Sequence, residues 1–187
     1  PKDNLIIVEK FKEDKEYLLF QTLYGRRVND ALARAYAFIA ARLKYRDIEI
    51  GINDNGFFIS GESLDEDKII KYVNSKNLRK ILEEAIEKTE VLKRRFRHCA
   101  ARSLMILRSY KGREKSVGKQ QVHSGFLFSA VKKISNEFPI LKEARREVME
   151  DLMDVGNAEK VLKWIEDGKV KIKKIRVPLV SPFGLTL

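Results

Sequence analysis

Between Lys93 and Lys119 stand ten basic residues, Lys93, Arg94, Arg95, Arg97, Arg102, Arg108, Lys111, Arg113, Lys115 and Lys119, against one acid, Glu114. This stretch therefore carries +9 of the chain's net +11, and the rest is nearly neutral. Such groups break no bonds unaided. They hold anions, arginine through a planar fork of donors and lysine as a point charge. A charge excess gathered on one surface is the footprint of a polyanion site, and nucleic acid is the polyanion expected. Arg94, Arg97, Arg102, Lys111, Arg113, Lys115 and Lys119 are the candidate backbone contacts, with Gln120 and Gln121 beside them. Tyr110, between Arg108 and Lys111 and their charges, is placed to stack on a base.

Other residue types narrow the chemistry. The chain has no GxxxxGK[ST] phosphate loop and no acidic box of the DEAD or DEAH kind, so it is not expected to hold ATP or magnesium by itself. One cysteine, Cys99, and two histidines offer no metal-ligand set and no disulfide, and point to a reducing, cytoplasmic setting. His98 and Cys99 are adjacent, hence about 100° apart on a helix, and do not form a nucleophile pair; Cys99 is expected in the core. Asp65, Glu66 and Asp67 follow Ser63, where acids favour a helix N-terminus, so they read as structural carboxylates and not as a nuclease site. His123 reads either as a phosphate or base-edge contact or as a plain surface residue, and Trp164, flanked by Val161, Leu162 and Ile165, is expected to be core, with stacking on a base as the other reading.

The elements that must position these residues are legible in outline. Two β-rich runs, 5–11 and 16–23, flank the polar KEDK of 12–15 and read as a hairpin. A helix follows over 28–43, with Val28, Ala31, Leu32, Ala35, Ile39 and Leu43 on one face. A second hairpin, 48–52 and 56–60, turns on Asn53, Asp54 and Asn55. Helices are expected over 65–73, 75–107, 120–135, 140–153 and 158–166, with Gly168 as a stop and the alternating 170–177 as a returning strand. The reading is an α+β fold: an antiparallel sheet, ββαββ plus a C-terminal strand, packed with a predominantly helical section. In chain order it has a sheet-rich part (1–62), a helical part (63–168) and a returning strand with a tail (169–187).

On the long helix, Leu92, Phe96, Cys99, Ala100, Ser103, Ile106 and Leu107 share an arc opposite Lys93, Arg94, Arg95, Arg97, Arg102 and Arg108. Two readings of the arginines stay open: phosphate contacts, or ion pairs with Glu143, Glu147, Glu150 and Asp151, which bears most on Arg95 and Arg97. Gly25, Arg26 and Arg27 also carry two readings, an anion site at a helix N-terminus or a tight turn whose arginines cap neighbouring carbonyls. No apolar run reaches the roughly 20 residues that span a bilayer, and no membrane partner is expected. The start, PKDNLIIVEK, has neither a signal-peptide core nor an initiator methionine, and reads as a piece of something longer.

Five collinear motifs, GRRVN (25–29), RFRHCAARSLMILR (95–108), KSVGKQQ (115–121), FPILKEARREVMEDLMD (138–154) and SPF (181–183), carry a resemblance over nearly the whole chain. It resembles the C-terminal accessory, DEAD/H-associated, domain that follows the motor in Lhr-type, large helicase-related, ATP-dependent helicases. Gly184 stands where that family usually has alanine. The resemblance implies a parent with two RecA-like lobes and a winged helix, moving 3′-to-5′ on single-stranded DNA and unwinding duplexes or RNA:DNA hybrids. It further implies that ATP and magnesium belong to the motor, and that this module lies on the second RecA-like lobe with the strand between them.

Overall fold

The computed structural model describes residues 4–44, 47–107, 109–110, 113–114, 116–182 and 184. Along the chain run β1 (Leu5–Lys12), β2 (Glu16–Gln21), α1 (Arg26–Lys44), β3 (Glu49–Ile52), β4 (Gly56–Gly61), α2 (Glu66–Tyr72) and α3 (Leu78–Ile86). Next come α4 (Glu90–Arg102), β5 (Ser109–Tyr110), β6 (Arg113–Glu114), α5 (Val117–Ile134), α6 (Pro139–Arg146) and a π-helical stretch, Glu147–Leu152. The chain closes through α7 (Val155–Glu166) and β7 (Lys171–Arg176). The α+β class is as expected. Two compact units divide it: Pro1–Ala85 with Met153–Leu187, and Ile86–Leu152.

The first unit is built on a five-stranded sheet in the order β3-β4-β2-β1-β7. Asn53 closes the β3–β4 turn, its Oδ1 accepting from Asn55 N at 2.8 Å and Gly56 N at 3.0 Å, which is why an asparagine-rich tripeptide serves there. On one face Phe20 stacks on Phe57 at 4.6 Å and on Tyr36 of α1 at 5.1 Å. Val28, Ala31, Leu32 and Ala35 of α1 are buried, the small alanines letting the helix lie close over the strands. β7 differs from expectation in direction. It pairs parallel to β1, with Leu5 opposite Lys171 and Lys10 opposite Arg176, so the sheet is mixed and not wholly antiparallel. Alternation in 170–177 reports which side chains face the core and is blind to strand direction, whereas the route back through α7 is a helical crossover of the kind parallel pairing needs.

The acids read as helix-terminal are so placed. Asp65 caps α2 by accepting from Lys68 N at 3.1 Å, Glu66 pairs with Lys10 at 2.9 Å and with Arg176 at 3.3 Å, and Asp67 pairs with Lys174. Among the described residues no group of three His, Cys, Asp or Glu is placed to hold a metal ion, and no helix is long and apolar enough to cross a membrane.

The second unit corrects the helix expected over 75–107. It breaks at Glu87–Thr89, because Thr89 adopts an extended backbone and its hydroxyl accepts from Leu92 N at 3.4 Å, starting α4 afresh. The helix also ends early, at Arg102, where Leu104 takes a left-handed φ of 59°. Leu92, Phe96, Cys99 and Ala100 nevertheless face the core as the wheel requires, and Phe96 meets Phe128 of α5 edge-on at 5.1 Å. The expected helix over 140–153 is α6 followed by the π-helical stretch, whose Val148 and Met149 are buried.

Candidate nucleic-acid interface

Side by side, α4 and α5 enclose a cleft of about 320 Å³ lined by Glu90, Lys93, Arg94, Arg97, Gln121, Ser124, Gly125 and Phe128. Helical geometry accounts for the lining: Glu90, Lys93, Arg94 and Arg97 recur at three- and four-residue steps beside the buried Leu92–Phe96 stripe, as do Gln121, Ser124, Gly125 and Phe128 on α5. Small residues on the α5 side, Ser124 and Gly125, leave the space that larger ones would fill. Ser124 keeps its hydroxyl occupied by donating to Gln121 O at 2.8 Å. Lys93 is paired with Glu90 at 2.7 Å. Among the described residues no carboxylate lies within ion-pair distance of Arg94 or Arg97, and Lys119, exposed on the first turn of α5, has none either. The cleft thus presents two guanidinium groups and an amide to solvent, a donor set suited to phosphate oxygens.

The other arginines of α4 are engaged internally. Arg95 donates to Glu147 Oε2 at 3.4 Å, and Arg102 donates to Glu147 Oε1 and lies 3.4 Å from Cys99 Sγ. Glu147 is 3% exposed and sits in the π-helical stretch. Its hydrogen bond to Arg102, reinforced by the Cys99 contact, holds that guanidinium even more firmly protonated than usual. Burial pushes the Cys99 thiol up, so Cys99 is an inert core group. The ion-pair reading therefore describes Arg95. Arg102, taken from the sequence as a backbone contact, is drawn toward Glu147 as well while its side chain stays 61% exposed.

At the start of α1 the anion position is filled from within. Asp54 Oδ1 accepts from Arg26 N at 3.1 Å, and the left-handed Gly25, φ 83°, makes the approach possible. Arg27 Nη2 donates to Met153 O at 3.2 Å, the carbonyl-capping alternative, whereas the Arg26 side chain is exposed and has no hydrogen bond or ion pair among the described residues. Asn29, fully buried, ties the turn down by accepting from Thr22 Oγ1 at 2.6 Å and donating to Asn53 O at 3.0 Å. Tyr110 and Arg113 face each other across the β5–β6 ladder. Lys111 and Lys115 lie outside the described residues, as do the side chains of Tyr110 and Arg113. Gln120 is half-buried, and Gln121 and His123 are exposed on α5.

Sequence reasoning missed a further feature of α5. Opposite the side that holds Ser124, Phe128 and Val131 it exposes Val122 at 59% and Phe126 at 74%, and at its C-terminal end Ile134 at 74%. The available signal was that apolar residues run all round this helix, the mark of an element covered on more than one side. Trp164, expected in the core, is 40% exposed, because Val155, Ala158, Val161 and Leu162 already fill the inner face of α7.

A model of the DEAD/H associated family matches residues 1–184. The chain is 49% identical to the ATP-dependent helicase Lhr-Core of Methanothermobacter thermautotrophicus over 92% of its own length and 20% of that protein. It is 43% identical to the ATP-dependent helicase Lhr-Core protein 2 of Thermococcus barophilus over 100% of its length and 22% of that protein. A structure of Mycobacterium smegmatis helicase Lhr bound to ssDNA and AMP-PNP shares the fold, at a TM-score of 0.86 and 24% identity, over 100% of this chain and 24% of that one. The chain spans about a fifth of the length of these curated relatives. It belongs to the DEAD/H associated family, whose fold these relatives carry inside Lhr-type ATP-dependent helicases.

Proposed function

We propose that this chain serves an ATP-dependent Lhr-type helicase as the accessory domain that holds the nucleic-acid backbone and docks on the second RecA-like lobe, helping to form the strand channel. The observation that carries the reading is the α4–α5 cleft, where Arg94, Arg97 and Gln121 converge and neither arginine is neutralised by a carboxylate among the described residues. Such donors grip phosphates without reading bases, so binding is sequence-independent and steep in salt. In the sequence Lys111, Arg113, Lys115 and Lys119 extend the same positive run, and Tyr110 adds a ring for stacking. Single-stranded DNA is the leading partner, since the fold relative from Mycobacterium smegmatis is described with ssDNA, and an RNA:DNA hybrid is the other substrate in this reading. ATP and magnesium serve the motor, not this chain, and the winged helix belongs to the same parent; the setting is cytoplasmic. Changing Arg94 and Arg97 together to Glu abolishes anisotropy-detected binding of a labelled single strand at low salt under this proposal, and retained binding overturns it.

A second reading, a docking module that shapes the motor without touching nucleic acid, is favoured by the outer face of α5. Val122, Phe126 and Ile134 form an exposed apolar stripe, and Lys119 and Lys133 beside it suit a partner surface with an acidic rim. The two readings differ in what the isolated chain binds: an oligonucleotide in the first, only the motor in the second.

A further inference from the structure

Trp164, the chain's one tryptophan, sits at the last turn of α7 with 40% of its surface open to solvent. The buried face of that helix is completed by Val155, Ala158, Val161 and Leu162, and Trp164 lies about 130° round the helix from their centre. An indole held outside a finished core is open to a further contact.

Its position is fixed by a tight stop. Gly168, with φ 73°, lets the chain reverse, and both Lys169 N and Val170 N donate to Trp164 O, at 2.9 and 3.1 Å. The reversal brings the turn with Lys169 and the start of β7 with Lys171 back to the tryptophan's own backbone. Lys160 precedes Trp164 by one helical turn and Lys163 is its neighbour. The acids in this region are already engaged: Glu159 with Arg79 at 3.5 Å, Glu166 with Ser75 at 2.6 Å and Asp167 with Lys169 at 3.6 Å. Among the described residues Lys160, Lys163 and Lys171 have no carboxylate partner, so three cations are left close to Trp164 along the chain.

From this juxtaposition we infer that Trp164 is a stacking platform for an unpaired base of single-stranded nucleic acid, with Lys160, Lys163 and Lys171 holding the adjacent phosphates. The inference rests on the nucleic-acid reading proposed above but places a contact in the first unit, on residues that reading does not use. An exposed aromatic ring amid cations is how proteins that bind single strands without sequence preference add affinity, because every base has a π-face. A protein partner would also accept a tryptophan, but lysines with no carboxylate partner among the described residues favour a polyanion.

The chain supplies its own reporter, since all indole fluorescence comes from Trp164. A labelled oligothymidylate of about 15 nucleotides, near the upper end of ordinary single-strand site sizes, is titrated at low salt while anisotropy and tryptophan emission are read together. Quenching should saturate along the anisotropy curve. Trp164→Ala should weaken binding about ten-fold or more, and Trp164→Phe, which keeps a ring, should restore most of it, with far-UV circular dichroism unchanged in both. Anisotropy that rises with unaltered emission, or Trp164→Ala binding as well as the wild type, overturns the platform alone and leaves the indole as a protein contact. No anisotropy change in any titration overturns the platform together with the nucleic-acid reading beneath it.

Discussion

Replacing Glu147 with Ala tests whether internal pairing decides which arginines of α4 are free. The residue is 3% exposed and its carboxylate accepts from Arg95 and Arg102. The Arg95 side chain is only 30% exposed, so losing its partner strands a half-buried guanidinium, a cost of about 1.5–3 kcal/mol. Arg102, 61% exposed, regains water when released and adds little. The one methylene removed from the interior contributes about 0.8 kcal/mol more, giving a loss of about 3 kcal/mol for Glu147→Ala. In urea, with a slope of about 2 kcal/mol per M, the midpoint followed by far-UV circular dichroism should fall by about 1.5 M. Arg97→Ala, on the same helix but with no carboxylate partner among the described residues, should cost no more than about 0.5 kcal/mol. An unmoved midpoint for Glu147→Ala, or an equal loss for Arg97→Ala, refutes the division between structural and free arginines.

Further predictions concern stability and docking. Burial works to raise the pKa of Glu87, but hydrogen bonds from Arg145 and Lys132 outweigh it and hold the carboxyl below its ordinary value. A depressed folded-state pKa means that the contribution is complete above the usual glutamate range of about 4.5 and is lost as pH falls through the lower folded value. Melting temperature should therefore drop below about pH 4.5, less steeply in Glu87→Gln; identical profiles would contradict the assignment. Thr89→Ala removes the cap of α4 and should cost about 1 kcal/mol in a denaturant titration, and no loss would mean that the helix break has another cause. Phe126→Ser with Ile134→Ser, both residues 74% exposed, should leave stability within about 0.5 kcal/mol while abolishing association with the separated motor in calorimetry. Undiminished association would remove α5 from the docking surface.

The ββαββ start was legible because strand alternation and the Asn53–Asn55 turn chemistry agree at short range. The direction of β7 was not, since side-chain alternation is the same in either orientation. The break at Thr89 was masked by an apolar period running from Leu82 and Ile86 into Leu92 and Phe96, although threonine followed by Glu90 is an N-cap signal. At the site, local charge density pointed to α4 and α5 but ranked Arg94, Arg97 and Arg102 alike. Only folding, which brings Glu147 against Arg95 and Arg102, separates the engaged arginines from those facing the cleft. Trp164 shows the same limit, because a helix with several apolar neighbours does not say which of them the core has room for.

The salt dependence of single-strand binding tests the central claim most directly. A single strand loses about 0.7 in the log–log slope for each phosphate contact removed. Measured from about 50 to about 200 mM salt, Arg94→Ala with Arg97→Ala should therefore flatten the wild-type slope by about 1.4 and bring the two affinities closer as salt rises. A slope and affinity equal to the wild type's would place the backbone contacts elsewhere and contradict the account.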